Sequence, residues 1–146
     1  MRPERARFPA TVHLLFVRDG RILLLRRFKT GYADGLYSVP GGHLDGNESV
    51  IAAGVREARE EVRVTVRAAD MAFSNVMHRQ EDDERVDFFL EVRAWQGEPV
   101  NAEPEKCDDL RWADVGDLPA NTLPYVRRGI ENHLQNVRFS LFGWSD

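Results

Sequence analysis

Two apolar, branched-rich runs, Thr11–Val17 (TVHLLFV) and Arg21–Arg26 (RILLLR), stand on either side of Asp19-Gly20. Asp-Gly tolerates the left-handed angles of a two-residue hairpin turn, so the two runs are expected to pair antiparallel. Further strand-like segments lie at Leu36–Val39, Val64–Val66, Met71–Met77, Val86–Trp95 and Leu110–Ala113. The tail, Arg138–Trp144, alternates enough to add a last strand. Lys29–Gly35, Gln80–Glu84 and Gly97–Asp109 read as loops, and Pro40-Gly41-Gly42 reads as a break that continues neither helix nor sheet. Ile51, Val55, Ala58 and Val62 recur as one buried helical stripe. Asp45 or Asn47 would cap that helix, and Glu48 suits the positive end of its dipole. A second helix is expected from about Tyr125 to Asn136, with Val126, Ile130, His133, Leu134 and Val137 inward. The βαβ rhythm is missing, so the expected fold is an α/β/α sandwich, a mixed sheet between helices, and not a doubly wound parallel fold.

At 146 residues the chain is expected to be one domain over 1–146, with its core at about 10–137 and an aromatic tail at 138–146. Hydrophobic residues make up 42% and charged residues 30%, and no apolar stretch is long enough to span a bilayer. The basic start Met1–Arg7 is not followed by a signal core, and Cys107 is the only cysteine. The cytoplasm is therefore the default compartment, with Cys107 read as a small buried thiol. The net charge of −4 is spread without a basic stripe, which argues against nucleic acid as partner. It does not argue against polyphosphates, which an acidic protein binds through a divalent cation. His13, His43, His78 and His133 show no zinc-ligand spacing.

Glu57, Glu60 and Glu61 sit at i, i+3 and i+4, inside an arc of roughly 100° and about 140° from the apolar stripe. Taken alone, such a run is most often a solvated acidic face. The flanking residues change that reading. Gly42, Glu48, Arg56, Glu57, Glu60 and Glu61 match G-x5-E-x7-R-E-U-x-E-E-x-G-U at six fixed positions, a coincidence expected roughly once in 10⁵ sequences. The chain resembles the MutT-like Nudix hydrolases over roughly residues 10–137, with the Nudix box from Gly42 to Val64. The likeness extends to Tyr37–Leu44 (YSVPGGHL) and Leu110–Pro119 (LRWADVGDLP). Two positions depart from the pattern. Arg63 stands where a glycine usually gives the left-handed helix cap, at a cost of about 1 kcal/mol if the angles are kept. Ala58 stands where a large aliphatic is usual, which is a matter of packing.

The resemblance implies hydrolysis of a phosphoanhydride bond in a nucleoside diphosphate linked to X. The leading substrate is a nucleoside triphosphate, canonical or oxidised, giving monophosphate and pyrophosphate. ADP-ribose, a nucleotide sugar or a dinucleoside polyphosphate is the alternative, and a catalytically silent Nudix-fold binding module is the alternative of another class. It further implies Mg²⁺, with Mn²⁺ as substitute, held by Glu57, Glu60, Glu61 and the Gly41 carbonyl. Arg56 and Glu48 would orient the loop–helix unit as an ion pair, and Glu60 is the preferred general base, with Glu103 or Glu105 as alternatives. Arg26 and Arg27 end a strand facing opposite sides, so one of them is expected to meet phosphate. Phe28, Tyr32 or Tyr37 would stack on a base, and Asn121 would read its edge. The aromatic tail (Phe139, Phe142, Trp144) is expected to pack on its own domain, with closure of the pocket or a homodimer as alternatives, and Met77-His78-Arg79 is assigned no role.

Overall fold

A computed structural model of the chain describes residues 3–145, so Met1, Arg2 and the last tail residue, Asp146, lie outside the described range. In chain order the elements are β1 (Ala10–Arg18), β2 (Arg21–Arg27), β3 (Tyr37–Ser38), β4 (Gly41–His43), α1 (Val50–Val62), β5 (Met71–Gln80), β6 (Glu84–Val92), β7 (Cys107–Asp114), α2 (Pro124–Gln135) and β8 (Phe139–Phe142).

Asp19 and Gly20 both take positive φ, 53° and 74°, and close the expected hairpin. Only Val17–Ile22 and Arg18–Arg21 pair across it. Beyond them β1 and β2 splay apart. β1 runs parallel to β6 from Ala10–Val86 to Phe16–Val92 and takes β4 on the flank that β2 leaves free. β2 pairs instead with β3 and, along its whole length, with β7. The sheet order is β3-β2-β1-β6-β5-β8, with β4 on β1 and β7 on β2. The wedge between β1 and β2 leaves a cavity lined by both strands.

The Gly41-Gly42 pair, expected to break the chain, forms β4 within the sheet. A Cβ on Gly41 would lie 2.1 Å from the Val12 carbonyl oxygen, and one on Gly42 would lie 2.4 Å from a Glu57 carboxylate oxygen. Glycine is needed here for close approach to the neighbouring strand and helix, not for a turn.

Alternation along the strands divides the core into two layers, as the expected α/β/α sandwich requires. Val12, Leu14 and Phe16 of β1 with Leu23 and Leu25 of β2 pack against Ala53, Ala58 and Val62 of α1. Leu15, Ile22 and Leu24 pack with Phe89 of β6 against Tyr125, Val126 and Ile130 of α2. Ala58 is fully buried in the α1 layer. α2 crosses so close to the sheet that a Cβ on Gly129 would meet the Phe89 ring at 2.2 Å. Its inward arc is Tyr125, Val126, Gly129, Ile130 and Asn132, while Leu134 and Val137, expected inward, are 49% and 38% exposed.

α1 begins later than expected. Its N-cap is Ser49, whose hydroxyl accepts from the Ala52 N–H at 3.0 Å, rather than Asp45 or Asn47. Its C-cap is Arg63, at φ 58° and ψ 32° in the left-handed region, so the usual glycine angles are kept without the glycine. The tail packs on its own domain: β8 runs parallel to β5, and Trp144 donates to the His78 carbonyl and rests on the His78 ring. Among the described residues no helix is long and apolar enough to cross a membrane.

Candidate active site

Where β1 and β2 part, a cavity of about 540 Å³ opens, the size of a nucleotide-scale ligand site. Its walls come from both sides of the splay, β1 and β4 on one and β2 and β3 on the other. The 101–107 loop and Tyr125 close the rest.

α1 brings the acids to one edge of this cavity. Arg56 grips Glu48 with two bonds, at 2.7 and 3.1 Å, and reaches Glu57 at 2.9 Å, Glu60 at 3.2 Å and the His43 carbonyl at 3.2 Å. Glu48 also accepts from the Asp45 N–H, and Arg56 holds its carboxyl below the ordinary range. The arginine thus ties the loop before α1 to the helix itself. Glu61 enters the cavity wall and accepts from the Gly41 N–H at 3.2 Å. Burial and the neighbouring Glu57 push its carboxyl up to about 8, against the pull of the Gly41 N–H. Glu57 is buried and is likewise raised by burial, although Arg56 opposes the shift. One guanidinium does not balance this many carboxylates, and the donors are all hard oxygens. That chemistry fits a divalent cation such as Mg²⁺. Among the described residues no three His, Cys, Asp or Glu side chains converge into a ready ligand set. Glu57 and Glu60 are instead turned onto Arg56, and Glu60 is largely exposed and outside the cavity lining.

The opposite wall is basic. Arg26 and Arg27, expected on opposite faces, both line the cavity, at the point where the β2–β7 register shifts past the extra residue Asp108 of β7. Arg26 pairs with Asp108 at 2.7 Å, and Arg27 donates to the Tyr32 carbonyl at 2.7 Å and to Thr30 at 3.0 Å. Lys29, Arg85 and Lys106 complete the basic rim. Glu103 lines the cavity, paired loosely with Lys106 at 3.5 Å, whereas Glu105 is exposed and does not. Asn101 positions the loop by donating to the Cys107 carbonyl at 2.7 Å and accepting from the Glu103 N–H at 3.1 Å.

Three residues expected at the base, Phe28, Tyr37 and Asn121, lie outside the lining. Tyr37 is buried with its hydroxyl on Asp109, and Asn121 donates to the Gly35 carbonyl at 2.9 Å, anchoring the 29–35 loop. Tyr32 does reach the cavity, with Arg27 over its ring.

Sequence reading missed the cavity floor. Thr11, His13 and Asp87 bond to one another, and Arg79 binds Asp87 through Nε at 2.7 Å and Nη2 at 3.2 Å. Burial pushes the Asp87 carboxyl up, but the bonds from His13, Arg79 and Thr11 overcome it and hold the group well below the ordinary carboxylate range. Arg79 also caps the Tyr125 ring at 3.6 Å. The Met77-His78-Arg79 run thus divides three ways: Met77 into core, His78 onto Glu84 and Trp144, and Arg79 beneath the cavity. The available signal was Thr11 and His13, two polar residues of one parity in an otherwise apolar strand.

A model of the NUDIX domain matches residues 6–134. The crystal structure of a MutT NUDIX hydrolase from Burkholderia pseudomallei superposes with a TM-score of 0.78 at 29% identity, covering 84% of this chain and 95% of that one. Isopentenyl-diphosphate Delta-isomerase of Cereibacter sphaeroides is 28% identical over 84% of this chain and 77% of its own length. The NAD-capped RNA hydrolase NudC of Stutzerimonas stutzeri is 30% identical over 88% of this chain, which spans only 43% of that protein.

Proposed function

We propose, from the premise that this chain belongs to the NUDIX domain family, that it is a Mg²⁺-dependent hydrolase of a phosphoanhydride bond in a nucleoside diphosphate linked to X. The observation that carries the reading is Glu61, a buried carboxylate raised beside Glu57, lining one nucleotide-sized cavity together with Arg26, Arg27, Lys29 and Lys106. The favoured substrate is a nucleoside triphosphate, split to monophosphate and pyrophosphate. Glu57, Glu60 and Glu61, with the Gly41 carbonyl, would hold the cation once Glu57 and Glu60 turn from Arg56. When bound, it neutralises phosphate oxygens and acidifies water.

The chain's own residues supply the rest. Arg27 and Lys106 bind and orient the phosphates, and Arg56 with Glu48 fixes the loop to the helix. A base must lie within reach of the attacking water, so geometry ranks the candidates before pKa does. Glu103 already lines the cavity, whereas Glu60 reaches it only on turning from Arg56, where it would hold the cation, and Glu105 is exposed. Glu103 therefore takes the proton as water oxygen bonds to phosphorus, and the bridging P–O bond breaks with its electron pair leaving on pyrophosphate.

The likeness to isopentenyl-diphosphate isomerases supports a second reading, binding of an isoprenoid diphosphate. Leu25, Val39 and Tyr125 line the cavity beside Thr11, His13, Ser38 and Asn101, so the lining accommodates either ligand and the reaction product must separate the two readings. All four box carboxylates are present, which counts against a silent binding module. A product assay in Mg²⁺ tests these readings together, using canonical and oxidised triphosphates, ADP-ribose, nucleotide sugars, diadenosine polyphosphates and isopentenyl diphosphate. Monophosphate plus pyrophosphate from one triphosphate is the expected outcome. Turnover of another class alone would overturn the substrate assignment, and isomerised isopentenyl diphosphate would overturn the reaction.

A further inference from the structure

We propose that His13 and Tyr125 form an acceptor–donor pair on the cavity floor that reads a nucleobase edge carrying an N–H beside a carbonyl or ring-nitrogen acceptor. The inference rests on the reading that a nucleotide occupies this cavity, and it follows from counting hydrogens.

Asp87, doubly bound by Arg79, is a carboxylate and can only accept. The Thr11 hydroxyl bonded to it must therefore point its single proton at Asp87. His13 Nε2 lies 3.1 Å from both the Asp87 and the Thr11 oxygens. Neither oxygen has a proton to give, so Nε2 carries the hydrogen. In the neutral ring this leaves Nδ1 with a bare lone pair, an acceptor. Nδ1 has no hydrogen-bond partner among the described residues, and the ring lines the cavity. Stacking on Phe89 at 4.8 Å fixes the orientation of the ring.

Tyr125 meets His13 edge-on, with ring centroids 5.5 Å apart, and also lines the cavity. Its hydroxyl makes no hydrogen bond among the described residues, and the Arg79 guanidinium over its ring holds it in place. Among the other hydroxyls of the lining, Ser38 donates to the Val39 carbonyl and Thr30 to Asp34, while Tyr32 stands at the exposed rim and not on the floor. The floor thus offers one acceptor beside one donor. This complements the amide edge of a hypoxanthine-like base or the amidine edge of an adenine-like one. The charged donors of the rim are left for phosphate.

Two measurements on the wild-type protein test the pair without relying on a variant that fails to fold. Long-range ¹H–¹⁵N correlation at neutral pH should report the Nε2–H tautomer for one histidine, assigned as His13 by its loss in His13→Phe. A proton on Nδ1 would overturn the proposal. Nucleoside monophosphates are then titrated by backbone ¹H–¹⁵N shifts in two pairs, inosine against N1-methylinosine monophosphate and adenosine against purine riboside monophosphate. In at least one pair the partner retaining the N–H should bind about tenfold more tightly, the ordinary worth of a hydrogen bond that leaves a polar group unpaired when lost. His13→Phe and Tyr125→Phe should each shrink that ratio. Equal affinities within both pairs, or no binding by any of the four, would overturn it. Absent hydrolysis with discrimination intact would instead remove only the hydrolytic reading.

Discussion

Arg56 and Arg79 each hold a cluster of carboxylates beside the same cavity, yet the two clusters differ in charge balance. Arg79 is buried with Asp87, binds both its oxygens and leaves that carboxyl well below its ordinary range despite burial, while its remaining bond goes out to Glu81, which is exposed to solvent. Arg56 is shared among Glu48, Glu57 and Glu60, and Glu61 has no cation of its own, so burial raises Glu57 and Glu61 together. A balanced buried pair is expected of architecture, because breaking it strands a charge. A surplus of raised carboxylates costs stability, and a bound cation would recover that cost.

The contrast can be broken most sharply by kinetics. Glu103→Gln should lower kcat by about 10² to 10⁴-fold, the usual contribution of a positioned base, with an unchanged unfolding midpoint. Glu60→Gln should cost less. The reverse order in a steady-state assay would hand the role to Glu60. On the other side, Arg79→Met should cost about 3–5 kcal/mol in urea unfolding, because Asp87 is then buried and unpaired. A loss under 1 kcal/mol would show that the pair is not the buttress described here.

The pH profiles should run in opposite directions. Folded Glu61 keeps its proton between the ordinary 4.5 and about 8, while the unfolded chain has lost it, so the folded state binds more protons in that window. In chelator-treated protein this contribution therefore falls as pH rises from about 5 to 8, and Glu61→Gln should flatten the slope of melting temperature against pH. Asp87 is lowered instead, so its contribution is complete above its ordinary 3.8 and lost only as pH falls below that value. Asp87→Asn should flatten the acid limb alone. A single shared slope for both variants would erase the distinction. The smallest effect belongs to Arg63→Gly, which should stabilise by about 1 kcal/mol by relieving the left-handed cap, with kcat unchanged.

Much of the fold was legible because its signals are local. The Asp19-Gly20 turn, the α1 stripe and the acidic arc each depend on residues within a few positions of one another. Local rules misled where a long-range contact overrode them. Gly41-Gly42 reads as a break, yet it is a strand, since Val12 and Glu57 approach too closely for any side chain. Arg26 and Arg27 should alternate, yet both line the cavity where β7 slips one residue past β2. Asn121 and Tyr37 carry plausible base-reading groups, but Gly35 and Asp109 had already claimed them.

By itself the sequence determined the family box, the element order and the helix face on which three carboxylates gather, because helical periodicity and turn chemistry are set by neighbours in the chain. The tertiary structure alone decided the splay of β1 from β2, and with it the cavity and its polar floor. Thr11 meets Asp87 across 76 positions of sequence, and no period in the chain encodes that pairing. Which hydrogens remain for a ligand is known only after the protein has used its own, and that account closes only once the strands are packed.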